Sequence, residues 1–254
     1  MLAAQGLTVG YEARDVLAGL DVTIPEGKFT VIIGPNACGK STLLRSLARL
    51  LKPRGGTVLL DGVPVDGQSP RHVATRMAVL PQTPLVPEGV TVAELVGRGR
   101  SPYQRWYRQW TIADTEAVAS AMRSADVTEL ADRPVAALSG GQRQRVWIAM
   151  TLAQQTPILL LDEPTTYLDP AHQLEILTLL GRLRDEGKTV VAVLHDLNQA
   201  ARYADHVIAM RDGQIVEAGA PRDVIDAGLV ASVFGMDCVV VPCPVSGAPL
   251  VVPL

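Results

Sequence analysis

The chain has 254 residues, 48% hydrophobic and 19% charged, with a formal net charge of −3. This is enough apolar material for a sizeable core and excludes a disordered chain, and the slightly acidic balance excludes a global basic field for nucleic acid or anionic lipid. No apolar run reaches the roughly 18 residues needed to span a bilayer, Met1-Leu-Ala-Ala-Gln-Gly lacks the segments of a secretory signal, and Cys38, Cys238 and Cys243 form neither a disulfide framework nor a metal spacing.

Short strands open the chain. Leu7 to Tyr11, Val16 to Ile24 and Phe29 to Ile33 are rich in β-branched residues and broken by Gly and Pro. Phe29-Thr-Val-Ile-Ile33 is a continuous apolar run, which predicts a buried strand. Leu43, Leu44, Leu47, Leu50 and Leu51 then fall at helical spacing, predicting a helix from Ser41 to Leu51 stopped by Pro53 and Gly55-Gly56. Asp61-Gly62 between Thr57–Leu60 and Val63–Val65 is a hairpin signal.

From about Val90 to Gln155 the pattern turns helical. Thr91 to Arg98 is a short candidate helix, and Thr111-Ile-Ala-Asp114 resembles a capping box opening a second helix that runs to about Ala125. A third starts after Ser139 and runs to about Gln155. This block reads as a helical insertion into an α/β domain. Buried-looking strands return at Ile158–Leu161 and Thr189–Leu194, with an amphipathic helix from Gln173 to Glu186 between them. Asp212-Gly213 marks another hairpin, between Val207–Met210 and Gln214–Ala218. A short helix is expected after Pro221, and the Val/Pro-rich end receives no element.

Two segments carry chemistry. Gly34-Pro-Asn-Ala-Cys-Gly-Lys-Ser-Thr42 fits the phosphate-loop pattern in full, between a predicted strand and a predicted helix. Its glycines permit a tight loop whose backbone N–H groups converge on phosphate oxygens, and the helix adds its positive N-terminal end. Lys40 is expected to meet the β- and γ-phosphates and Ser41 to offer a hydroxyl to Mg²⁺. Cys38 reads either as a reactive thiol or as a small loop residue. Ala37 tolerates positive φ less well than glycine, so an unstrained loop requires a negative φ there. The second segment is Asp162-Glu163-Pro164, after four apolar residues. Two acids at a buried strand end are costly without a charged partner, and a Mg²⁺–phosphate group is such a partner. Asp162 is then the metal ligand, and Glu163 orients and polarises the attacking water. The alternative for the acids is a helix N-cap before Pro164.

With Leu138-Ser-Gly-Gly-Gln142 the chain resembles the ATP-binding cassette (ABC) ATPases, whose signature motif this pentapeptide matches. The resemblance covers nearly the whole chain, with the motifs in the family's order. It implies an α/β fold: a RecA-like P-loop NTPase core with an N-terminal antiparallel β-subdomain and an inserted helical subdomain. The expected division is core and β-subdomain in 1–87 and 156–220, helical subdomain in 88–155 and a C-terminal extension in 221–254. ATP and Mg²⁺ are the implied ligands. By the resemblance Tyr11 stacks on adenine with Val16 beside it, and Gly34, Pro35, Asn36, Ala37, Cys38, Gly39, Lys40, Ser41 and Thr42 wrap the phosphates. Gln82 touches Mg²⁺ and reports to a membrane partner. Leu168-Asp169 crosses a dimer interface, and His195 contacts the γ-phosphate. Ser139, Gly140, Gly141 and Gln142 meet the γ-phosphate held by a second copy. His72, His172 and His206 are expected to be surface or packing residues.

Pro164-Thr-Thr-Tyr-Leu-Asp169 with His172-Gln173, and Gly99-Arg-Ser-Pro-Tyr-Gln104, resemble the iron-chelate (siderophore) importer ATPases, with the vitamin B12 and haem importers nearest to them. This implies an ATPase that drives transport as a head-to-tail dimer on integral membrane permease subunits, served indirectly by a substrate-binding protein. The expected location is the cytoplasmic face of the membrane. Arg98 to Trp110 interleaves four arginines with four aromatics, a pattern that suits single-stranded nucleic acid, a membrane-partner interface or a solvated loop. No nucleic-acid partner is expected, given the acidic balance.

Overall fold

The computed structural model describes residues 1–12, 14–82, 88–104, 110–166 and 168–254. In chain order these form β1 (Leu2–Tyr11), β2 (Arg14–Ile24), β3 (Phe29–Ile33), α1 (Lys40–Leu47), β4 (Gly55–Leu60), β5 (Val63–Pro64), α2 (Pro70–Arg76), β6 (Met77–Leu80), α3 (Val92–Gly97), α4 (Ile112–Ser124) and α5 (Gly140–Ala153). They continue with β7 (Ile158–Leu161), α6 (Pro170–Asp185), β8 (Thr189–Val193), α7 (Leu197–Tyr203), β9 (His206–Arg211), β10 (Gln214–Gly219), α8 (Pro221–Val224), α9 (Ala227–Phe234), β11 (Cys238–Pro242) and β12 (Pro249–Pro253).

Three sheets result. An antiparallel sheet has the order β2-β1-β4-β5, a larger one the order β10-β9-β3-β8-β7-β6, and β11 and β12 form a separate hairpin. In the large sheet β6, β7, β8, β3 and β9 run parallel, and β10 returns antiparallel. Every residue of β3, β7 and β8 is buried, as expected for parallel strands covered on both faces. Helix α1 lies between the two larger sheets, where Leu43, Leu44 and Leu47 share a core with Leu7 and Val9 of β1 and with Ile32, Val191 and Val193. The other face of the large sheet packs on α3, α4, α5 and α6 through residues such as Val96, Val118, Val146 and Leu180.

Registers Leu80↔Leu161, Leu161↔Ala192 and Ile32↔Val193 bring the C-terminal ends of β6, β7, β8 and β3 to one edge. The segments beginning at Gly34, Gln82, Asp162 and His195 therefore leave the sheet side by side, the usual place for a ligand crevice in an open α/β sheet.

The structure departs from the sequence expectations at several ends. Helix α1 stops at Leu47 rather than Leu51, because Arg49 takes a left-handed φ of 58°. The Leu50 and Leu51 N–H groups then return to the Arg45 carbonyl at 2.8 and 3.2 Å, a closing arrangement typical of helix ends. Helix α6 begins at Pro170, three residues earlier than the periodicity indicates, since Asp169 caps it by accepting the His172 N–H at 3.1 Å and proline suits the first helical position. Helices α2 and α7 and strand β6 carry no sequence expectation. The Val/Pro-rich end is a hairpin, with Cys238 opposite Pro253 and Pro242 opposite Pro249, so its prolines sit at strand ends where a missing N–H costs least.

The interleaved stretch Arg98–Trp110 divides. Arg105, Trp106, Tyr107 and Arg108 lie outside the described residues. Arg98 is exposed, but Arg100 is 5% exposed and points inward. Its Nε donates to Asp114 Oδ1 at 2.9 Å, and Nη1 donates to the Ala153 carbonyl at 2.7 Å and Gln155 Oε1 at 2.9 Å. Its guanidinium stands 4.0 Å from the Tyr103 ring centroid, while the Tyr103 hydroxyl donates to the Gln154 carbonyl at 2.8 Å. Arg100 and Tyr103, two of the eight residues of the pattern, thus bind the insertion to the end of α5, while Arg98 and Trp110 remain exposed. Arg100→Ala leaves Asp114 buried without its cation and is expected to cost about 3 kcal/mol in a urea titration. Replacing both partners by Leu and Met is expected to cost less than the single change.

Candidate active site

The loop Gly34–Thr42 is shaped by its neighbours. Gly34 has φ 152°, and a β-carbon there would lie 2.2 Å from the Met210 carbonyl oxygen of β9. Gly39 has φ 104°, and a β-carbon would meet Leu17 Cδ2 at 2.9 Å and Val16 Cγ1 at 3.3 Å. Only glycine fits either place. The Gly213 N–H donates to the Cys38 carbonyl at 3.0 Å, which fastens the loop to the β9–β10 turn. Cys38 is buried, and burial pushes its thiol up against the opposing influence of Lys40. The reactive-thiol reading therefore fails, and Cys38 is a small packing residue of the loop.

Ala37 corrects the expectation of a negative φ: it sits at φ 62°, in the left-handed region. A residue with a β-carbon there costs about 1 kcal/mol. Ala37→Gly relieves that and loses part of the gain to unfolded-chain entropy. The expected net is a stabilisation of about 0.5 kcal/mol, read as a raised thermal midpoint with unchanged ATPase rate.

Lys40 is 5% exposed. Its Nζ donates to the carbonyls of Gly34 and Pro35, each at 2.8 Å, which holds the ammonium across the mouth of the loop. Ser41 Oγ donates to Asp162 Oδ1 at 2.8 Å. Burial raises the Asp162 carboxyl above its usual range, opposed by that hydrogen bond. A hydroxyl and a reluctantly ionised carboxylate, both hard oxygen donors, suit Mg²⁺ sharing its coordination with phosphates. No cluster of three or more His, Cys, Asp or Glu able to hold a metal exists among the described residues.

Glu163 is the hub of the site. It has φ 53°, a strained placement of the kind found at functional positions. Its Oε2 accepts from Gln82 Nε2 at 2.7 Å and Thr166 Oγ1 at 3.0 Å, and His195 Nε2 lies 2.8 Å from Oε1. Burial pushes the Glu163 carboxyl up, but His195, Thr166 and Gln82 together outweigh it and hold the group below its ordinary range. Thr166 was not among the candidate residues; its signal is a hydroxyl three residues after an acid in a tight loop. The N-cap alternative for the acids fails, since no helix follows Pro164 until Pro170 and Asp169 caps that one.

Tyr11 is 46% exposed at the end of β1, so it does not belong to the core. Val16 borders Gly39 as described. Ser139 caps α5 in a reciprocal box: its Oγ accepts the Gln142 N–H at 3.3 Å, and Gln142 Oε1 accepts the Ser139 N–H at 3.2 Å. Ser139 and Gly140 are exposed. No hydrogen bond joins 139–142 to 34–42 among the described residues. His172 packs its ring on Gly141, where a β-carbon would stand 3.0 Å from its Cδ2, and its Nδ1 pairs with Asp169. His206 is part-buried and burial lowers its basicity, and His72 is exposed on α2. Tyr167 lies outside the described residues.

Comparison with known proteins fits this geometry. The family model described as ABC transporter matches residues 17–166. The achromobactin transport ATP-binding protein of Dickeya dadantii is 53% identical over 253 residues, 99% of this chain and 94% of that protein. The ferric enterobactin transport ATP-binding protein of Escherichia coli is 52% identical over 254 residues, 100% and 94% of the two chains. The hemin import ATP-binding protein of Nocardia farcinica is 44% identical over 258 residues, 100% and 89%. Among solved structures, an inward-facing ABC transporter described as of the metal-chelate type matches with a TM-score of 0.85 at 28% identity, covering 100% of this chain and 96% of that one. A bacterial ABC transporter cassette solved as a dimer matches with a TM-score of 0.76 at 30% identity, covering 87% and 98%. The chain belongs to the ATP-binding subunits of the ABC transporters, a family of ATP-hydrolysing proteins.

Proposed function

We propose that this chain hydrolyses ATP to drive uptake of an iron–siderophore complex through separate membrane permease subunits. The observation that carries the cargo is that four relatives at 52–53% identity over nearly the full length are named for achromobactin, siderophore, ferric enterobactin and petrobactin transport, while two named for hemin import stand at 44%. In this reading the translocation path belongs to another chain, which holds this one at the cytoplasmic face; no helix among the described residues is long and apolar enough to cross a membrane.

In this reading the N–H groups of Gly34–Thr42 and the Lys40 ammonium bind the phosphates, and Tyr11 and Val16 flank the adenine. Mg²⁺ held by Ser41 and Asp162, with Gln82 beside them, would screen the phosphate charge. Glu163 is held ionised by His195, Thr166 and Gln82. It orients and polarises the attacking water, which suffices where the transferring phosphoryl group needs mainly positioning and charge stabilisation. His195 both fixes Glu163 and reaches the γ-phosphate. Ser139 to Gln142 meet the nucleotide of a second copy, so each site is completed head to tail. Residues 88–155 act as the helical subdomain, and Gln82, bonded to Glu163, links the chemistry to the permease.

The test is reconstitution with its permease in vesicles. ATP turnover is expected to rise with a binding protein loaded with ferric siderophore. Stimulation by haem- or vitamin B12-loaded binding proteins alone would assign a different cargo.

A further inference from the structure

The two loops that carry Glu163 and His195 meet twice. At the chemistry, His195 lies against Glu163. Behind it, Gln173 of α6 and Gln199 of α7 form a second contact: Gln199 Nε2 donates to Gln173 Oε1 at 2.7 Å. Gln173 Nε2 in turn donates to the carbonyls of Leu168 at 3.0 Å and Thr165 at 3.3 Å. Both amide hydrogens and the oxygen of Gln173 are thus engaged, and both carbonyls belong to the segment between Glu163 and α6.

The Gln199 end is equally fixed. Asp196 follows His195 directly and caps α7 by accepting the N–H groups of Asn198 at 2.8 Å and Gln199 at 2.9 Å. Asn198 brackets β12, accepting the Val251 N–H at 2.7 Å and donating to the Val251 carbonyl at 3.2 Å. The chain of contacts therefore runs from the terminal hairpin through α7 to the acid loop. A shift of either loop changes the Glu163–His195 separation unless this contact gives way. Catalytic geometry tolerates errors of less than about 1 Å.

We infer that Gln173 and Gln199 are positioning residues that set the spacing between the Glu163 and His195 loops. The inference rests on the roles proposed above for that pair. Neither glutamine touches nucleotide; each acts through backbone that carries the reacting side chains.

The test uses Gln173→Met, Gln199→Met and the double variant, each assembled with the permease. These changes keep volume and remove the amide bonds. Gln173→Met is expected to lower kcat about tenfold, with KM for ATP within twofold and an unchanged melting temperature. Gln199→Met is expected to lower kcat about threefold. The double variant should be no slower than Gln173→Met, because both changes break one contact. Wild-type kcat in both single variants, equal losses in kcat and ATP affinity, or multiplicative losses in the double variant would each overturn the inference. Gln199→Met removes a single hydrogen bond to Gln173, so it stays informative even where Gln173→Met, which removes three, folds poorly. Glu163→Gln in the same preparation separates the two readings. If it is inactive while the glutamine variants are normal, only the positioning role fails; if it turns over normally, the assignment of Glu163 fails.

Discussion

Replacing Glu163 by Gln is expected to lower ATP turnover by about 10²- to 10³-fold, with ATP affinity unchanged and the ATP-bound dimer accumulating. Glutamine keeps the length and one oxygen, so an acceptor remains for Gln82 and Thr166, which now stand 2.7 and 3.0 Å from Oε2. The charge is lost, and with it the acceptor strength that polarises water. The amide N–H₂ also competes for the place beside His195, at 2.8 Å from Oε1. Turnover, equilibrium ATP binding and size-exclusion of the ATP-loaded protein check the three parts, and hydrolysis at the wild-type rate would remove Glu163 from its role. The pH dependence follows from the same contacts. A carboxyl held below its ordinary range is ionised throughout the neutral region, and its contribution to stability is present above the unfolded value of about 4.3 and lost as pH falls through the lower folded value. Protonation of Glu163 therefore limits activity only on the acid side of the ordinary carboxylate range.

The site was legible in the sequence wherever one segment carried its own pattern. Gly34–Thr42 could be placed because β3 and α1 announce themselves by a five-residue apolar run and by leucines at helical spacing. Thr111 could be placed because a capping box is a local hydrogen-bond pattern, and the box forms. What could not be read depends on distant partners. Strand β6 is only Met77–Leu80, too short for a periodicity, and it exists because β7 lies beside it. The terminal hairpin is a run of valines and prolines whose register is set by pairing across a loop and by Asn198. The loop around Ala37 is fastened to β9 and the β9–β10 turn, far away in sequence, through Gly34 and Cys38. Gln173 and Gln199 look like ordinary helix-surface amides until α6 and α7 are placed side by side.

Lys40→Ala is expected to reduce ATP affinity about 100-fold and leave the fold at least as stable as before. Lys40 is 5% exposed, yet no carboxylate lies within ion-pair distance of it among the described residues. Its charge is met by two carbonyl dipoles, those of Gly34 and Pro35 at 2.8 Å each. A buried ammonium held only by neutral acceptors costs the folded state desolvation that it does not fully recover. Polyphosphate supplies the missing anion, so the cost becomes differential binding energy. Charge-assisted hydrogen bonds contribute roughly 1.5–3 kcal/mol each, and one such bond with the added Coulomb attraction matches the 2.7 kcal/mol of a 100-fold loss. Removing the ammonium should therefore abolish most of the ATP-induced rise in melting temperature without lowering the melting temperature of the protein alone. Calorimetric titration and thermal melts with and without ATP measure the two quantities separately. Unchanged ATP binding would contradict the assignment of the loop, and a large loss of stability would show that Lys40 serves the fold. Lys40→Arg should rescue little, because the planar guanidinium is bulkier than the ammonium and the space across the loop mouth is bounded by the same two carbonyls.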